Sequence, residues 1–303
     1  MKGGGSVRSV QAVLFAPGNK ERMLNKALES GADAVIFDLE DSVPIAAKGE
    51  ARALVARAIA GVAAAGAAGS RPTIWVRVNN AATGLLADDL AAVVRPGLDA
   101  VLLPKVESRE EVQAVAAVLD RQESATGMKA GAVEIVLQIE SALGVYACFD
   151  LIKASPRVAS ITIGTARDGD LQTDLGCSWS IDGPELLYAR SKVLLDARAA
   201  GIVNPLDGVF SDLGDEEGLI KDSRLSARLG YVGRTVIHPR QIAPVRRAYA
   251  VPEEELVYYR QVVTEFEAGE KAGTAAITVN GKMVDYAMYQ RARRVLASAN
   301  PGR

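Results

Sequence analysis

Several strand-like runs in this sequence end on carboxylates. Phe37 leads into Asp38-Leu39-Glu40-Asp41, Gln138-Ile139 into Glu140, and Ile163-Gly164 into a loop with Asp168, Asp170 and Asp174. Two carboxylates on adjacent strand ends, with water and substrate oxygens completing an octahedron, suit Mg2+. Glu140 and Asp170 fit that description. Glu140 closes an apolar run, where a carboxylate is costly to bury unless a cation compensates it; a salt bridge or a helix cap is the plainer alternative. The Gly164–Gly176 loop offers three acids and does not by itself select one. It is no EF-hand, because Thr173 stands where a Gly is required and no Glu closes the loop.

Arg77 lies inside Ile74-Trp75-Val76-Arg77-Val78-Asn79. Facing inward, its rigid fork needs an anion and suits a substrate carboxylate; facing outward, it would cover apolar surface. His238 is the only histidine, so His-rich zinc and iron sites are excluded, and without a Gly-x-Ser-x-Gly elbow it has no nucleophile to serve. In Ile237-His238-Pro239 it reads as a structural residue. Lys105 could form a Schiff base only with a depressed pKa, which nearby Glu107 opposes, so an ion-pairing role is preferred. No Walker A loop or Gly-x-Gly-x-x-Gly turn follows the first strand, which removes support for nucleotide hydrolysis and nicotinamide chemistry.

These residues sit at the ends of short β-branched runs that alternate with longer Ala-rich segments of helical period. Strands are expected at Ala12–Phe15, Ala34–Phe37, Thr73–Val78, Ala100–Leu103, Glu134–Ile139, Ala159–Ile163, Gly208–Phe210 and Thr235–Ile237. Eight βα units over roughly 240 residues predict an α/β fold of the (β/α)8 TIM-barrel type, with the active site at the C-terminal strand ends; a doubly wound sheet typically has fewer strands. The expected division is a flexible N-terminus (1–8, with Gly3–Ser6 a mobile lead-in), a barrel (9–243) and a C-terminal lid or appendage (244–303). In the last, Asn280-Gly281 between apolar runs signals a hairpin, followed by a helix from Asp285.

Composition narrows the partners. With 303 residues, 49% apolar and 24% charged, the chain can bury a large core. Its 35 basic and 37 acidic side chains give a net charge of −2, which makes no global case for nucleic acid or an anionic membrane. Cys148 and Cys177 are too few for a disulfide framework and suggest a reducing compartment. The absence of a long apolar run or a secretory h-region at Met1–Ser6 points to a soluble cytoplasmic protein.

Taken together, Leu14-Phe15-Ala16-Pro17-Gly18, Asp33 through Val43, Leu103-Pro104-Lys105-Val106-Glu107, Gln138-Ile139-Glu140, Asp170 through Gly176 and Ile237-His238-Pro239 resemble the citrate lyase β-subunit-like proteins of the HpcH/HpaI aldolase group, similar to malyl-CoA and citramalyl-CoA lyases. The motifs run in order from about residue 9 to 297. The resemblance implies Mg2+ on Glu140 and Asp170, and Arg77 on the carboxylate or oxyanion of the substrate. It also implies a lid exchanged between the subunits of a homotrimer or hexamer, delivering Asp285 from Gly281-Lys282-Met283-Val284-Asp285 as a catalytic carboxylate. Glu40 joins Arg77 and Asp285 as a catalytic candidate. Asn19, Lys20, Arg22 and Lys48 are candidates for the phosphates of coenzyme A, with solvated surface charge as their alternative role. The family segment after strand six is shorter, so alignment from the downstream Asp-Leu favours Asp170 over Asp168. The added Arg167, with Trp179 and the Asp182–Glu185 loop, is expected to reshape substrate selection. The implied reaction is retro-Claisen cleavage, or the reverse condensation, of a β-hydroxyacyl-CoA such as citramalyl-, malyl- or citryl-CoA, giving acetyl-CoA and a 2-oxo acid (pyruvate, glyoxylate or oxaloacetate). The rivals are a metal-dependent pyruvate aldolase without CoA, a Schiff-base aldolase at Lys105, and a non-catalytic acyl-binding subunit.

Overall fold

The computed structural model of the chain describes residues 10–65, 71–274 and 276–299. Eight parallel strands close into a barrel: β1 (Ala12–Pro17), β2 (Ala34–Asp38), β3 (Thr73–Arg77), β4 (Ala100–Leu103), β5 (Glu134–Ile139), β6 (Val158–Ile163), β7 (Leu206–Asp207) and β8 (Gly233–Val236). Closure is made by β1 against β8, with Ala12 opposite Arg234 and Leu14 opposite Val236. The helices around it are α1 (Glu21–Leu28), α2 (Lys48–Ala65), α3 (Leu86–Val93), α4 (Arg109–Ala125), α5 (Ala142–Lys153), α6 (Asp170–Leu175), α7 (Pro184–Ala200), α8 (Glu216–Leu229) and α9 (Ile242–Tyr249). Helix starts follow the local chemistry: Ser108 and Glu111 form a capping box on α4, Ser141 caps α5 and Asp215 caps α8.

The strands are apolar along their length because both faces are covered, as parallel sheets require. Their twofold period sorts the side chains. Val13, Ala34, Ile36, Trp75, Ala100, Leu102 and Val136 fill the lumen, whereas Leu14, Val35, Phe37, Ile74, Val76 and Val101 pack outward under the helices. Continuing that alternation by one step puts Asp38, Arg77 and Gln138 on the lumen side at the C-terminal end.

Two strands differ from expectation. The seventh is Leu206–Asp207 rather than Gly208–Phe210, and the eighth is Gly233–Val236 rather than Thr235–Ile237. At Gly208 the chain passes so close to the end of β6 that a Cβ would lie 2.1 Å from the Ile163 carbonyl oxygen. The backbone leaves the ladder there, and apolar Phe210 packs edge-on against Trp179.

The first compact unit comprises Val10–Tyr249. It extends beyond residue 243 because α9 packs on α8, β8 and β1. The second unit holds α10 (Glu253–Lys271), the antiparallel pair β9 (Ile277–Val279) and β10 (Lys282–Val284), and α11 (Tyr286–Ala299). The hairpin stands where expected, with Asn280 at φ +49° and Gly281 at φ +75°, as a two-residue type I′ turn demands. Val262, Phe266, Val279, Val284, Tyr289 and Ala292 form this unit's own core. The segment 1–8 lies outside the described residues. Among the described residues, no helix is long and apolar enough to cross a membrane.

Candidate active site

A cavity of about 360 Å3 opens at the C-terminal ends of the strands, with Arg77, Gln138, Glu140, Thr165 and Asp170 in its wall. That volume lies in the range of small-molecule sites.

Glu140 directly follows β5 and is only 5% exposed. Its Oε1 accepts the backbone N–H of Lys105 at 3.0 Å, and its Oε2 accepts from Gln138 Nε2 at 2.7 Å. Among the described residues no ammonium or guanidinium lies within ion-pair distance of it. Burial therefore dominates: with the fields of Glu40 and Asp170 added, and Arg77 and Gln138 opposing, its pKa is pushed up to about 7. Gly164 makes the room it needs, since a Cβ there would stand 2.8 Å from Glu140 Cβ. Asp170 opens α6 and shares the cavity wall with Glu140, whereas Asp168 is not part of that wall. Asp168 instead sits at φ +58° and is tied through its N–H to Gln172 Oε1 at 2.8 Å.

The fork of Arg77 is already occupied. Nε and Nη2 each donate at 2.7 Å to the two oxygens of Asp38, its register partner across β2–β3. Nη1 lies 3.0 Å from Glu40 Oε2 without the alignment of a hydrogen bond, and the guanidinium rides 4.9 Å from the centre of the Phe15 ring. A ligand carboxylate can meet only the Nη1–Nη2 edge. Burial would raise the Asp38 pKa, but the field and hydrogen bonds of Arg77 outweigh it and hold it low. Glu40, more deeply desolvated than compensated, is raised; it sits between Arg77 and Lys105 rather than in the cavity wall.

Lys105 adopts φ +52°, unusual for a residue with a Cβ. Its ammonium stands 3.0 Å from Glu40, 3.2 Å from Asp41 and 3.5 Å from Asp170. Burial acts to lower its pKa, but Glu40 and Asp41 more than offset that and raise it. A Schiff-base nucleophile needs the opposite, so the ion-pairing role holds, with these three carboxylates as partners instead of the expected Glu107.

Of the four residues assigned to coenzyme A, Lys48 is corrected. It is 8% exposed, and its ammonium donates to the carbonyls of Leu39 (2.6 Å) and Glu40 (2.7 Å) and to Asn79 Oδ1 (2.7 Å). With all three donors taken, none remains for a phosphate; the residue ties the β2 end to the β3 end. Lys20 and Arg22 are exposed at the start of α1, and Asn19 Oδ1 is buried without a hydrogen-bond partner among the described residues. His238 has a structural role and is half-buried, its Nδ1 accepting from the N–H of Arg240 at 3.1 Å. Asp285 is exposed in the second unit and caps α11 through the N–H of Met288 at 2.9 Å.

Two site residues escaped the sequence reading. Among the described residues, Gln138 Oε1 and Thr165 Oγ1 are buried on the cavity wall with no hydrogen-bond partner, as befits groups open to water or a ligand. Gln138 was findable, since it stands two residues before Glu140 on the same strand face. Among the described residues no cluster of three or more His, Cys, Asp or Glu side chains can hold an ion. Two carboxylates in one wall, one of them buried without a cation, beside orphaned amide and hydroxyl oxygens, still fit a hard ion that keeps most of its water.

A family model described as HpcH/HpaI aldolase/citrate lyase matches residues 11–239. The chain belongs to that family. A second model, a carbon–carbon bond lyase of the TIM-barrel fold, matches residues 189–301, and a carbon–carbon lyase is what membership makes it. The citrate lyase β subunit of Leuconostoc mesenteroides subsp. cremoris is 37% identical over 290 residues, covering 96% of this chain and 93% of that protein. Human mitochondrial citramalyl-CoA lyase is 29% identical, covering 95% and 85%. Among solved structures, CitE from Mycobacterium tuberculosis in complex with magnesium, acetoacetate and coenzyme A superimposes with a TM-score of 0.75 at 29% identity, covering 96% of this chain and 98% of that one.

Proposed function

We propose that this family member is a Mg2+-dependent lyase that cleaves, or in reverse forms, a β-hydroxyacyl-CoA bearing a carboxylate. Citramalyl-, malyl- and citryl-CoA are the candidates, giving acetyl-CoA with pyruvate, glyoxylate or oxaloacetate. The observation that carries this is Glu140, a carboxylate buried at the cavity wall beside Asp170 with no cationic partner among the described residues. Relatives named for citramalyl-CoA cleavage and a related structure holding magnesium and coenzyme A support it.

Glu140 and Asp170 would hold Mg2+, which when bound supplies Lewis-acid polarisation of substrate oxygens. The Nη1–Nη2 edge of Arg77 neutralises the substrate carboxylate or the charge that develops on the thioester oxygen. Loss of one such donor typically costs about 2.7–4 kcal/mol. A carboxylate takes the hydroxyl proton, the carbon–carbon bond breaks, the hydroxyl carbon becomes the carbonyl of the 2-oxo acid, and the electron pair passes to the thioester enolate. Proton return to the enolate carbon completes acetyl-CoA. Asp285, exposed and on a separate unit, is assigned that proton transfer as a lid residue supplied by a neighbouring subunit of a trimer or hexamer, with Glu40 the alternative. Asn19, Lys20 and Arg22, at the positive end of α1, are assigned the phosphates of coenzyme A.

The test is a panel of the three thioesters assayed with Mg2+ and with EDTA, following 2-oxo acid release. Metal-dependent release from at least one is expected. Release that survives EDTA, or none from any thioester, refutes the assignment.

A further inference from the structure

Arg167 stands in the loop between β6 and α6, flanked by cavity-wall residues: Thr165 and Ala166 before it, Gly169 and Asp170 after it. Its guanidinium lies over the Trp179 ring, 4.3 Å from the centroid. Trp179 is in turn braced edge-on by buried Phe210, with centroids 6.1 Å apart and planes at 64°. The loop is pinned by the Gly169 N–H to the Ala166 carbonyl at 3.1 Å and by Asp168 N–H to Gln172. Among the described residues Arg167 makes no hydrogen bond and no ion pair, although Asp168 and Asp170 are close in sequence. A stacked guanidinium keeps its in-plane N–H donors available while the ring removes much of its freedom. Arg167 is itself exposed beside the cavity wall, so a cation held this way is placed to receive an anion. Barrel order gives it a direction: β3, which carries Arg77, lies across the closed ring from the β6–β7 side that carries Arg167, Trp179 and Phe210.

We propose that Arg167, held on Trp179, is a specificity-determining residue that recognises a second anionic group of the substrate, beyond the carboxylate met at Arg77 and the Glu140–Asp170 wall. The inference rests on the lyase assignment above and sharpens it. Two sources share the chemistry: an additional carboxylate on the acyl chain, which citryl-CoA has and citramalyl-CoA lacks, or a phosphate of coenzyme A.

The experiment compares wild type with Arg167→Gln, Arg167→Lys and Trp179→Leu on both thioesters and on their N-acetylcysteamine analogues, which carry no phosphate. With an acyl carboxylate as the anion, Arg167→Gln lowers the citryl to citramalyl ratio of kcat/KM by about tenfold or more, the scale of one charge-assisted hydrogen bond. The change lies mainly in KM, persists in the short analogues, and is partly restored in Arg167→Lys. With a CoA phosphate, both full-length thioesters weaken together by that factor and the short analogues do not. Trp179→Leu should move the same quantities in the same direction. A separate arm, binding of oxaloacetate against pyruvate with Mg2+ followed by calorimetry, reads an acyl-carboxylate role without turnover. If the wild type binds these acids but cleaves no thioester, the lyase assignment falls while the affinity ratio still reads Arg167. An oxaloacetate to pyruvate ratio unchanged by Arg167→Gln, together with unchanged thioester kinetics, overturns the proposal.

Discussion

Replacing Gly164 by alanine adds a single methyl group, and the structure says where it goes. The new Cβ would lie 2.8 Å from Glu140 Cβ, 3.5 Å from its Cα and 3.7 Å from Oε2, well inside a carbon–carbon contact of about 3.5–4.0 Å. Gly164 cannot easily retreat, because its N–H donates to the Ile139 carbonyl at 2.8 Å. Glu140 is held from the other side by Lys105 N–H and Gln138, so the methyl must displace the carboxylate from both bonds or push β5 and β6 apart. Overpacking of this kind costs about 1–3 kcal/mol, and each kcal/mol lowers Tm by roughly 2–4 °C in a domain of this size. Disturbing the groups that orient a ligand typically weakens a metal about 10–100-fold. Mg2+ titration calorimetry on Gly164→Ala should therefore show at least about a tenfold loss of affinity with a Tm lower by several degrees. Glu140→Gln, which removes charge without adding volume, should lose the metal without the overpacking penalty. Wild-type affinity in Gly164→Ala would show that Glu140 is not the ligand or that the wall is not rigid.

Because the Glu140 carboxyl is held near 7 by burial, it must lose a proton to take a cation. Mg2+ affinity should fall about tenfold per pH unit below 7 and level off above it, measured by titration between pH 5.5 and 8.5. The metal-free protein should do the reverse in stability. The folded state holds that proton more tightly than the unfolded chain, so about 3 kcal/mol is lost as pH rises from the ordinary carboxyl range through 7, a trend that denaturant midpoints at each pH will reveal and Glu140→Gln will abolish. Arg77→Met strands Asp38, which is 1% exposed, and should cost about 3–5 kcal/mol; adding Asp38→Asn should recover part of it in urea denaturation, and no recovery would mean the pair is not what stabilises this end of the barrel. Asp285→Asn keeps a good cap on α11, so thioester binding and the C-terminal fold should persist while turnover drops at least about 10²-fold; wild-type turnover would remove the lid carboxylate from the mechanism.

The barrel was legible because each parallel strand is buried on both faces and so reads as an unbroken apolar run between polar turns. β7 was misplaced for the same reason: Val209-Phe210 is as apolar as a strand, but Gly208 brings the backbone too close to Thr165 for the ladder to continue. Strand ends marked Arg77 and Glu140 as site candidates, but the direction of Arg77 stayed open and its partner unseen, because Asp38 fills the Arg77 fork through inter-strand register, which one strand's sequence does not carry. Lys48 was misread because a formal charge says nothing about where its donors point. Lys105 among three carboxylates, and the unpaired Arg167 on its tryptophan, depend on loop paths that composition leaves open.

The ladder around the barrel is uneven, and that has a mechanical consequence. From β1 to β6 the strands pair over several residues, whereas β7 offers only Leu206 to β6 and Leu206 and Asp207 to β8. The seam is closed instead by buried charge, with Arg190 joined to Asp207 and Asp222, and Arg234 joined to Asp222 and the Gly208 carbonyl. The carboxylates that would hold the ion stand on the strongly laddered arc or directly beside it. The aromatic brace under Arg167 leans on the stitched arc. Side-chain changes at Arg167, Trp179 and Phe210 can thus rewrite recognition while the strands that carry the reacting end keep their framework, a separation of tolerances built into one closed sheet.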